Sequence, residues 1–433
     1  MSIQRASGLT GLKGVFGFMR GNILVMTVCE SMWRISSDVI WPFLSLYVLY
    51  LGGRYETIGQ VMALGNIASM ILYPLGGYIA DYQGRIRLIG YITFGYAASF
   101  LIPALTNSWQ WFAVGMFAQS FVSFYFPAMQ ALRADSLPPS QRGIGFATTM
   151  AIPSAVGIAS PMIGGWLIER LGMGPAIHGL YFLGFTVGLV VAFIRLRLLK
   201  ETVERPGQIE FSFRMIPGLL VSSYRSVLET LKDIPRGLLR LSLLISVCLF
   251  SVSLVSPFWI VRAREAVGVT TQQWGTMMLI TGAINVAISI PAGSLVDRLS
   301  KRWVVGLCLI VGSAPTLLFL RCGSFNQLLL LSVAATLTNV FLNPAFQAIF
   351  ADMTPREKRG RIMASFGVGG IWLMGGAWGG GVLGMVMTTM GTFLSGYVYK
   401  HDSSLPWYIL SGVLVTMGIL FILLVKEPEK AEI

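Results

Sequence analysis

The chain has 433 residues, of which 55% are hydrophobic and only 12% charged. Soluble domains carry about 25% charged residues, so half that share, with a mean hydropathy of +0.71, excludes an ordinary soluble enzyme and points to a polytopic membrane protein. The net charge of +13 is not a nucleic-acid signal, because its distribution follows a membrane topology.

A membrane-spanning helix needs about 20 apolar residues. Twelve stretches qualify: 22–50, 56–80, 86–106, 109–132, 143–168, 175–198, 239–261, 273–296, 303–321, 325–350, 362–388 and 405–425. With the N-terminus inside, 25 of the 32 Lys and Arg fall in inside segments and six outside (Arg54, Arg170, Arg262, Arg264, Arg321, Lys400). Arg34 alone is left in the membrane. That asymmetry is the positive-inside pattern, which predicts cytoplasmic termini and anionic lipid head groups as neighbours.

The first stretch carries CESMWRISSDV, residues 29–39, with Glu30, Arg34 and Asp38. Residues four apart on a helix share a face, drifting about 40° per step, and the two carboxylates lie about 12 Å apart along the axis. An intramembrane Arg or Asp costs about 2.5–3.5 kcal/mol on insertion scales, so this stripe must face the bundle interior or a water-filled cavity. In one reading it couples protons to substrate, with Asp38, nearer the bilayer middle, as the titrating group and Glu30 as Arg34's partner or a proton exit. In the other it is a closed salt-bridged triad that fixes helix packing.

Between the second and third stretches the chain reads Gly77-Tyr-Ile-Ala-Asp81-Tyr-Gln-Gly84-Arg85-Ile-Arg87. The glycine allows close helix approach. Asp81 at a helix end can pair with a basic residue or a helix N-terminus, and Arg85 and Arg87 can snorkel to the inner head groups. The fourth stretch offers Gln119 and Tyr125. The fifth contains Gly157, Ser160, Pro161, Gly164 and Gly165, a run of small residues that permits tight packing and bending.

Residues 199–238 form a basic connecting loop. Tyr224, Val227, Leu228 and Leu231 fall at helical spacing, which predicts either a short helix on the inner membrane surface or a flexible linker. The seventh stretch has serines, Ser251, Ser253 and Ser256, where the first has charges. Further on stand Trp259, Asn285, Asn339, Asn343, Gln347 and Trp372. With Gln119 and Tyr125 these amides and aromatics are candidates to line a cavity for an amphipathic or cationic organic molecule, or else packing and interhelical hydrogen bonds. Cys29, Cys248, Cys308 and Cys322 are isolated, and His178 and His401 lie near outer helix ends. No metal-ligand spacing, catalytic triad or nucleotide-binding Gly-Lys-Ser/Thr loop occurs, so neither a metal, a cofactor nor enzyme chemistry is expected.

The chain also repeats itself. PAMQALRADSLPPSQRG at 127–143 and PAFQAIFADMTPREKRG at 344–360 share nine of 17 residues without gaps, at an offset of 217. The repeat duplicates Asp135 and Arg142 as Asp352 and Arg359. PLGGYIADYQGR at 74–85 aligns with PAGSLVDRLSKR at 291–302 with one gap, and Pro42-Phe43 with Pro257-Phe258. The chain thus divides into two six-helix halves in the same orientation, 1–198 and 239–433, joined by 199–238.

Topology, repeat and loop motif together resemble the major facilitator superfamily over essentially the whole chain. Gly77, Asp81, Gly84, Arg85 and Arg87 match its GxxxDxxGRxR signature, and Asp297, Arg298, Lys301 and Arg302 form a degenerate copy. The resemblance implies an all-α membrane bundle of twelve transmembrane helices in two pseudo-symmetric halves that work by alternating access. In that family the motif latches the halves together on the cytoplasmic side, which makes Asp81 a conformational switch or, alternatively, a topology anchor. The run around Gly157 looks like the family's antiporter signature GPxxGG, with Ser160 in place of glycine. Where related antiporters carry an RxxQG arginine, this chain has Met116, Gln119 and Ser120.

The resemblance implies a proton-coupled antiporter, a monomer in the inner or plasma membrane that exports amphipathic or cationic small molecules. Two alternatives stay open. One is a proton symporter or facilitator for a small organic solute whose anionic group Arg34 binds; the other is a non-transporting membrane sensor.

Overall fold

The computed structural model describes residues 17–83, 85–138, 141–202, 217–218, 220–222, 224–225, 229, 234–354, 362, 370–378 and 381–427. Lipid offers no partner to a backbone N–H or C=O, and the apolar stretches accordingly close their hydrogen bonds within helices. Ten of the described helical spans are long and apolar enough to cross a membrane.

The first group of helices is α1 (Gly21–Asp38), α2 (Leu44–Tyr50), α3 (Tyr55–Gln83), α4 (Arg85–Ser99), α5 (Leu101–Leu105), α6 (Trp109–Phe121), α7 (Phe126–Asp135), α8 (Arg142–Gly157), α9 (Ser160–Leu171) and α10 (Met173–Leu198). The second group is α11 (Arg236–Val255), α12 (Trp259–Val267), α13 (Thr271–Val296), α14 (Lys301–Phe319), α15 (Phe325–Asp352), α16 (Val382–His401) and α17 (Leu405–Leu424).

The repeated dipeptides give repeated geometry. Pro42 lies in a single 3-10 turn, Trp41–Phe43, between α1 and α2, and Pro257 in another, Ser256–Phe258, between α11 and α12. A proline lacks the N–H for the helical ladder and its ring crowds the preceding turn, so both groups bend at the matched place. The ion pairs at the matched helix ends repeat too: Arg85 meets Asp135, and Lys301 meets Asp352 at 2.6 Å. Glu201 accepts from the Ile86 N–H at the start of α4, and Glu427 from the Arg302 N–H at the start of α14. Each carboxylate sits where a helix dipole favours an anion.

The end that holds Tyr55, Leu171, Thr271 and Lys400 is called the outer end, after the side that the charge pattern predicts for it. There the two groups meet: α9 packs on α13 and α3 on α16, whereas α8 packs on α1 of its own group. Thr271 Oγ1 donates to the Gly165 carbonyl at 2.9 Å, the Gln272 N–H to Glu169 at 3.2 Å, and Gln60 Nε2 to the Tyr397 hydroxyl at 2.7 Å. Lys400 pairs with Glu56. These hydrogen bonds and this ion pair between the two groups all lie toward this end.

One expectation needs correction. Residues 362–388 do not form one helix: β1 (Gly370–Trp372) and β2 (Gly376–Trp378) pair as an antiparallel hairpin with Ile371 opposite Ala377, and the apolar span runs over Val382–His401 instead. Six glycines between 370 and 381 explain this, since each costs a helix about 1 kcal/mol relative to alanine. The described part of the connecting loop also packs on the first group of helices. Tyr224 donates its hydroxyl to the Met70 carbonyl of α3 at 2.5 Å, and Leu220 packs on a cluster of Met26, Leu72, Tyr125 and Met129. The residue four places beyond Met70 is Pro74, which has no N–H to offer that carbonyl. Burial pushes the Tyr224 phenol up, so it remains a donor throughout the neutral range. Val227, Leu228 and Leu231 lie outside the described residues.

Candidate functional site

Helix α1 packs against α10 and α8. Cys29 and Met26 are fully buried, and Trp33 lies against Gly188 of α10. Leu24, Val28 and Ile35 form an exposed apolar stripe suited to lipid. On the remaining face Glu30 forms an ion pair with Arg133 of α7, a residue only 2% exposed that also donates to Gln130 at 3.3 Å. One turn on, Arg34 Nη1 bridges both oxygens of Asp38 at 3.2 Å, and Ser37 donates to Asp38 at 3.4 Å. Gly157 of α8 packs on this pair: a side chain there would meet Arg34 Cβ and Asp38 Oδ2. The two carboxylates are alike in exposure, Asp38 at 28% and Glu30 at 24%, but Arg34 is 50% exposed where Arg133 is 2%, so the pairs differ in their guanidiniums.

A third guanidinium completes the cluster. Arg195 of α10 is buried, donates to Thr93 at 2.9 Å and to the Tyr125 hydroxyl at 3.3 Å, and lies 5.5 Å from the centroid of the Tyr125 ring, within cation–π range. The Glu30 carboxylate interacts with the charges of Arg133, Arg195 and Arg34. Three guanidiniums and two carboxylates give the ionised cluster a net charge of +1, against the −1 of the helix stripe alone.

The sequence reading missed Arg133 and Arg195 because it assigned them to inside segments; it made Glu30 a partner of Arg34 or a proton exit, and the structure pairs Glu30 with Arg133. Helical spacing contained the signal. Gly188, Val191, Ala192 and Arg195 all fall on the buried face of α10, whereas Arg197 does not.

The other candidate residues divide. Tyr125 belongs to the Arg195 network. Trp259 is 2% exposed and packs 4.9 Å from Phe319 and 5.5 Å from Trp407, which places it in the core rather than on a cavity wall. Gln119 and Asn285 are half-buried, and the Gln119 Nε2 is buried without a partner among the described residues. Asn339 and Asn343 hold the hairpin, on which Trp372 is 43% exposed.

Of the motif residues, Gly77 and Asp81 lie within α3, but the Asp81 side chain, Gly84 and Arg359 lie outside the described residues. Arg85 pairs with Asp135 and Lys301 with Asp352, each pair within one group, and Arg87, Arg142 and Asp297 are exposed. The fifth-stretch run packs tightly. Ser160 and Pro161 are buried in the first turn of α9; Gly164 lies on the Val39 carbonyl and Gly165 on the Thr271 carbonyl.

At the outer end Glu265 accepts from Tyr55 at 2.8 Å and from Tyr399 at 2.5 Å, and Tyr399 stacks on Phe258 at 4.2 Å. Tyr55 comes from the first group and the other three from the second, so this is a contact between groups. A hydrogen bond to a charged acceptor contributes about 1.5–3 kcal/mol, and Tyr55→Phe is expected to loosen the outer contact roughly tenfold or more. Thiol labelling of a cysteine at Thr392, packed on Gly59, measures it: labelling should speed up, and an unchanged rate would show that Tyr55 does not hold the groups together.

The Major Facilitator Superfamily is the family whose pattern matches, over residues 26–264 and 241–433. Multidrug resistance protein MdtG of Dickeya zeae (strain Ech586) is 25% identical over 342 residues, 76% of this chain and 78% of that one. Multidrug resistance protein 2 of Bacillus subtilis (strain 168) is 23% identical over 317 residues, 72% and 75% of the two chains. The crystal structure of the nucleoside transporter NupG superposes with a TM-score of 0.69 at 14% identity, covering 94% of this chain and 100% of that one. At that identity the likeness is one of fold.

Proposed function

The chain belongs to the Major Facilitator Superfamily, and from that premise we propose that this membrane transporter is a proton-coupled antiporter that exports amphipathic or cationic small molecules by alternating access. The observation that carries the reading is that Asp38 pairs with the half-exposed Arg34 while Glu30 pairs with the buried Arg133. Glu30 is held by a buried guanidinium, which makes Asp38, whose partner is half-exposed, the carboxylate better placed to exchange partners. A proton arriving from outside and a cationic substrate arriving from inside compete for that one group, and competition for a single site is the logic of antiport. Contact between the groups at the outer end supports an inward-facing arrangement in which substrate enters from the cytoplasm. The names of the two multidrug resistance relatives favour export.

The test is pH-gradient-driven flux of a lipophilic cation dye in proteoliposomes. Wild type should move the dye with the gradient, and Asp38→Asn should lose gradient-driven flux. A wild type that ignores both dye and gradient would sink the reading.

The excess of one guanidinium in the cluster favours a second reading, in which Arg34 binds an anionic group of a solute that is taken up. Arg34→Ala separates the two. As a tuner of the Asp38 site its loss should mainly shift the pH optimum of flux; as a substrate ligand its loss should abolish anion binding while Asp38→Asn spares it.

A further inference from the structure

The hairpin of β1 and β2 is non-helical backbone in a stretch apolar enough to enter the membrane. Such backbone is tolerated only where protein buries it or where it borders water. One edge is sealed in an unusual way. The Asn343 side chain donates to the Ile371 carbonyl at 2.8 Å and accepts from the Ile371 N–H at 3.0 Å, and the Asn339 side chain accepts from the Leu373 N–H at 3.2 Å. Two amides of α15 thus act as a third strand.

The other edge is different. Opposed residues of an antiparallel pair alternate between bonded and non-bonded. Since Ile371 spends both backbone groups on Asn343, its opposite number Ala377 directs its N–H and C=O away from β1. Among the described residues no hydrogen bond reaches them, and Ala377 is partly exposed. Lipid against this edge would leave both groups unsatisfied, so it faces protein or water, and the partial exposure of Ala377 favours water.

Its position says which water. β1 packs on α15 and α11 and β2 on α11 and α16, and Ser256 of the proline bend donates to the Gly375 carbonyl at 3.0 Å. By the repeat, α11 and α15 are the counterparts of α1 and of the helix that ends in α7, the elements carrying Glu30, Arg34 and Arg133. Ile371 and Leu373 are buried, while the indole of Trp372 between them stands 43% exposed.

We propose that this hairpin is the substrate-contacting element of the second half, and that Trp372 is a specificity-determining plate for the aromatic part of a transported molecule. The ion pairs of the first half would select charge and the hairpin would select ring systems. The inference rests on the transporter reading above, but not on proton coupling.

The test replaces Trp372 or, separately, Ala377 by cysteine after Cys29, Cys248, Cys308 and Cys322 have been changed to serine or alanine. Full-length protein in inside-out vesicles is labelled with a charged, membrane-impermeant thiol reagent, with and without tetraphenylphosphonium as an aromatic cation probe. Both cysteines should react, and the probe should slow Trp372→Cys labelling at least severalfold. In transport, Trp372→Ala should raise KM for aromatic cations by about two- to tenfold, the range of one aromatic contact, and leave non-aromatic cations unchanged. Reaction only with a lipid-soluble reagent at both positions would overturn the aqueous placement. Labelling that the probe does not slow, with KM unchanged, would overturn the substrate contact. Failure of proton coupling shows instead in the Asp38→Asn flux and leaves the labelling result intact. If one cysteine variant fails to fold, the other still decides the placement.

Discussion

Glu30→Leu is expected to destabilise the protein by about 3–5 kcal/mol, the cost of leaving one member of a buried ion pair without its partner. The member left behind is the Arg133 guanidinium, which is 2% exposed. Arg133→Met should cost less, because the carboxylate it strands is 24% exposed and still interacts with Arg195. The double variant Glu30→Leu/Arg133→Met should recover most of the loss, since apolar residues of similar volume commonly replace a buried pair at little cost. Thermal unfolding of the four proteins in detergent checks the order. If both single variants unfold at the temperature of the double variant, the pair is screened by water and its burial contributes nothing.

The second large effect is steric. Gly165 and Gly275 form a reciprocal contact between α9 and α13: a side chain on Gly165 would strike the Thr271 carbonyl and Gln272 Cα, and one on Gly275 the Pro161 carbonyl and Met162 Cα. These obstacles are backbone, so no rotamer change relieves the clash. Gly275→Val should therefore prop the outer ends apart. Overpacking costs about 1–3 kcal/mol, which shifts an equilibrium between closed and open outer ends by roughly 5- to 150-fold. Gly293 of the same helix has nothing within 4 Å of where its side chain would stand, so Gly293→Val is the silent control. Spin labels on the outer ends of α9 and α13 should move apart in Gly275→Val and not in Gly293→Val, with transport reduced only in the former. Equal distances in both variants would show that the glycine contact does not govern closure.

Much of the helical framework was legible because it rests on local rules: long apolar runs, and proline and glycine at breaks. The Pro42 and Pro257 bends follow from two dipeptides that the repeat had already aligned. The helix wrongly expected over 362–388 shows the limit. Its apolar composition satisfied the membrane criterion, but its glycines removed the preference for helix, and the amides that stabilise the alternative come from Asn339 and Asn343 on another element. The charged site was half legible for a similar reason. Glu30, Arg34 and Asp38 stand out because carboxylates and guanidiniums are rare inside a span. Arg133 and Arg195 sit within a turn of helix ends, where arginine is common, and only packing distinguishes a buried arginine there from one that snorkels to lipid.

The hydroxyl that reaches the Met70 carbonyl belongs to a residue 154 positions later in the chain. At about 5–20 residues per second, a ribosome needs roughly 8–30 s to travel from one to the other. Throughout that interval α3 has already been made, with an acceptor that Pro74 leaves open and that its proper donor cannot yet fill. The first group of helices therefore emerges as an unfinished assembly, and a stop after residue 198 would yield a fragment that never acquires this donor. Supplying residues 199–433 as a separate polypeptide would turn a tethered bond into a bimolecular one, so the connecting segment serves assembly as well as attachment.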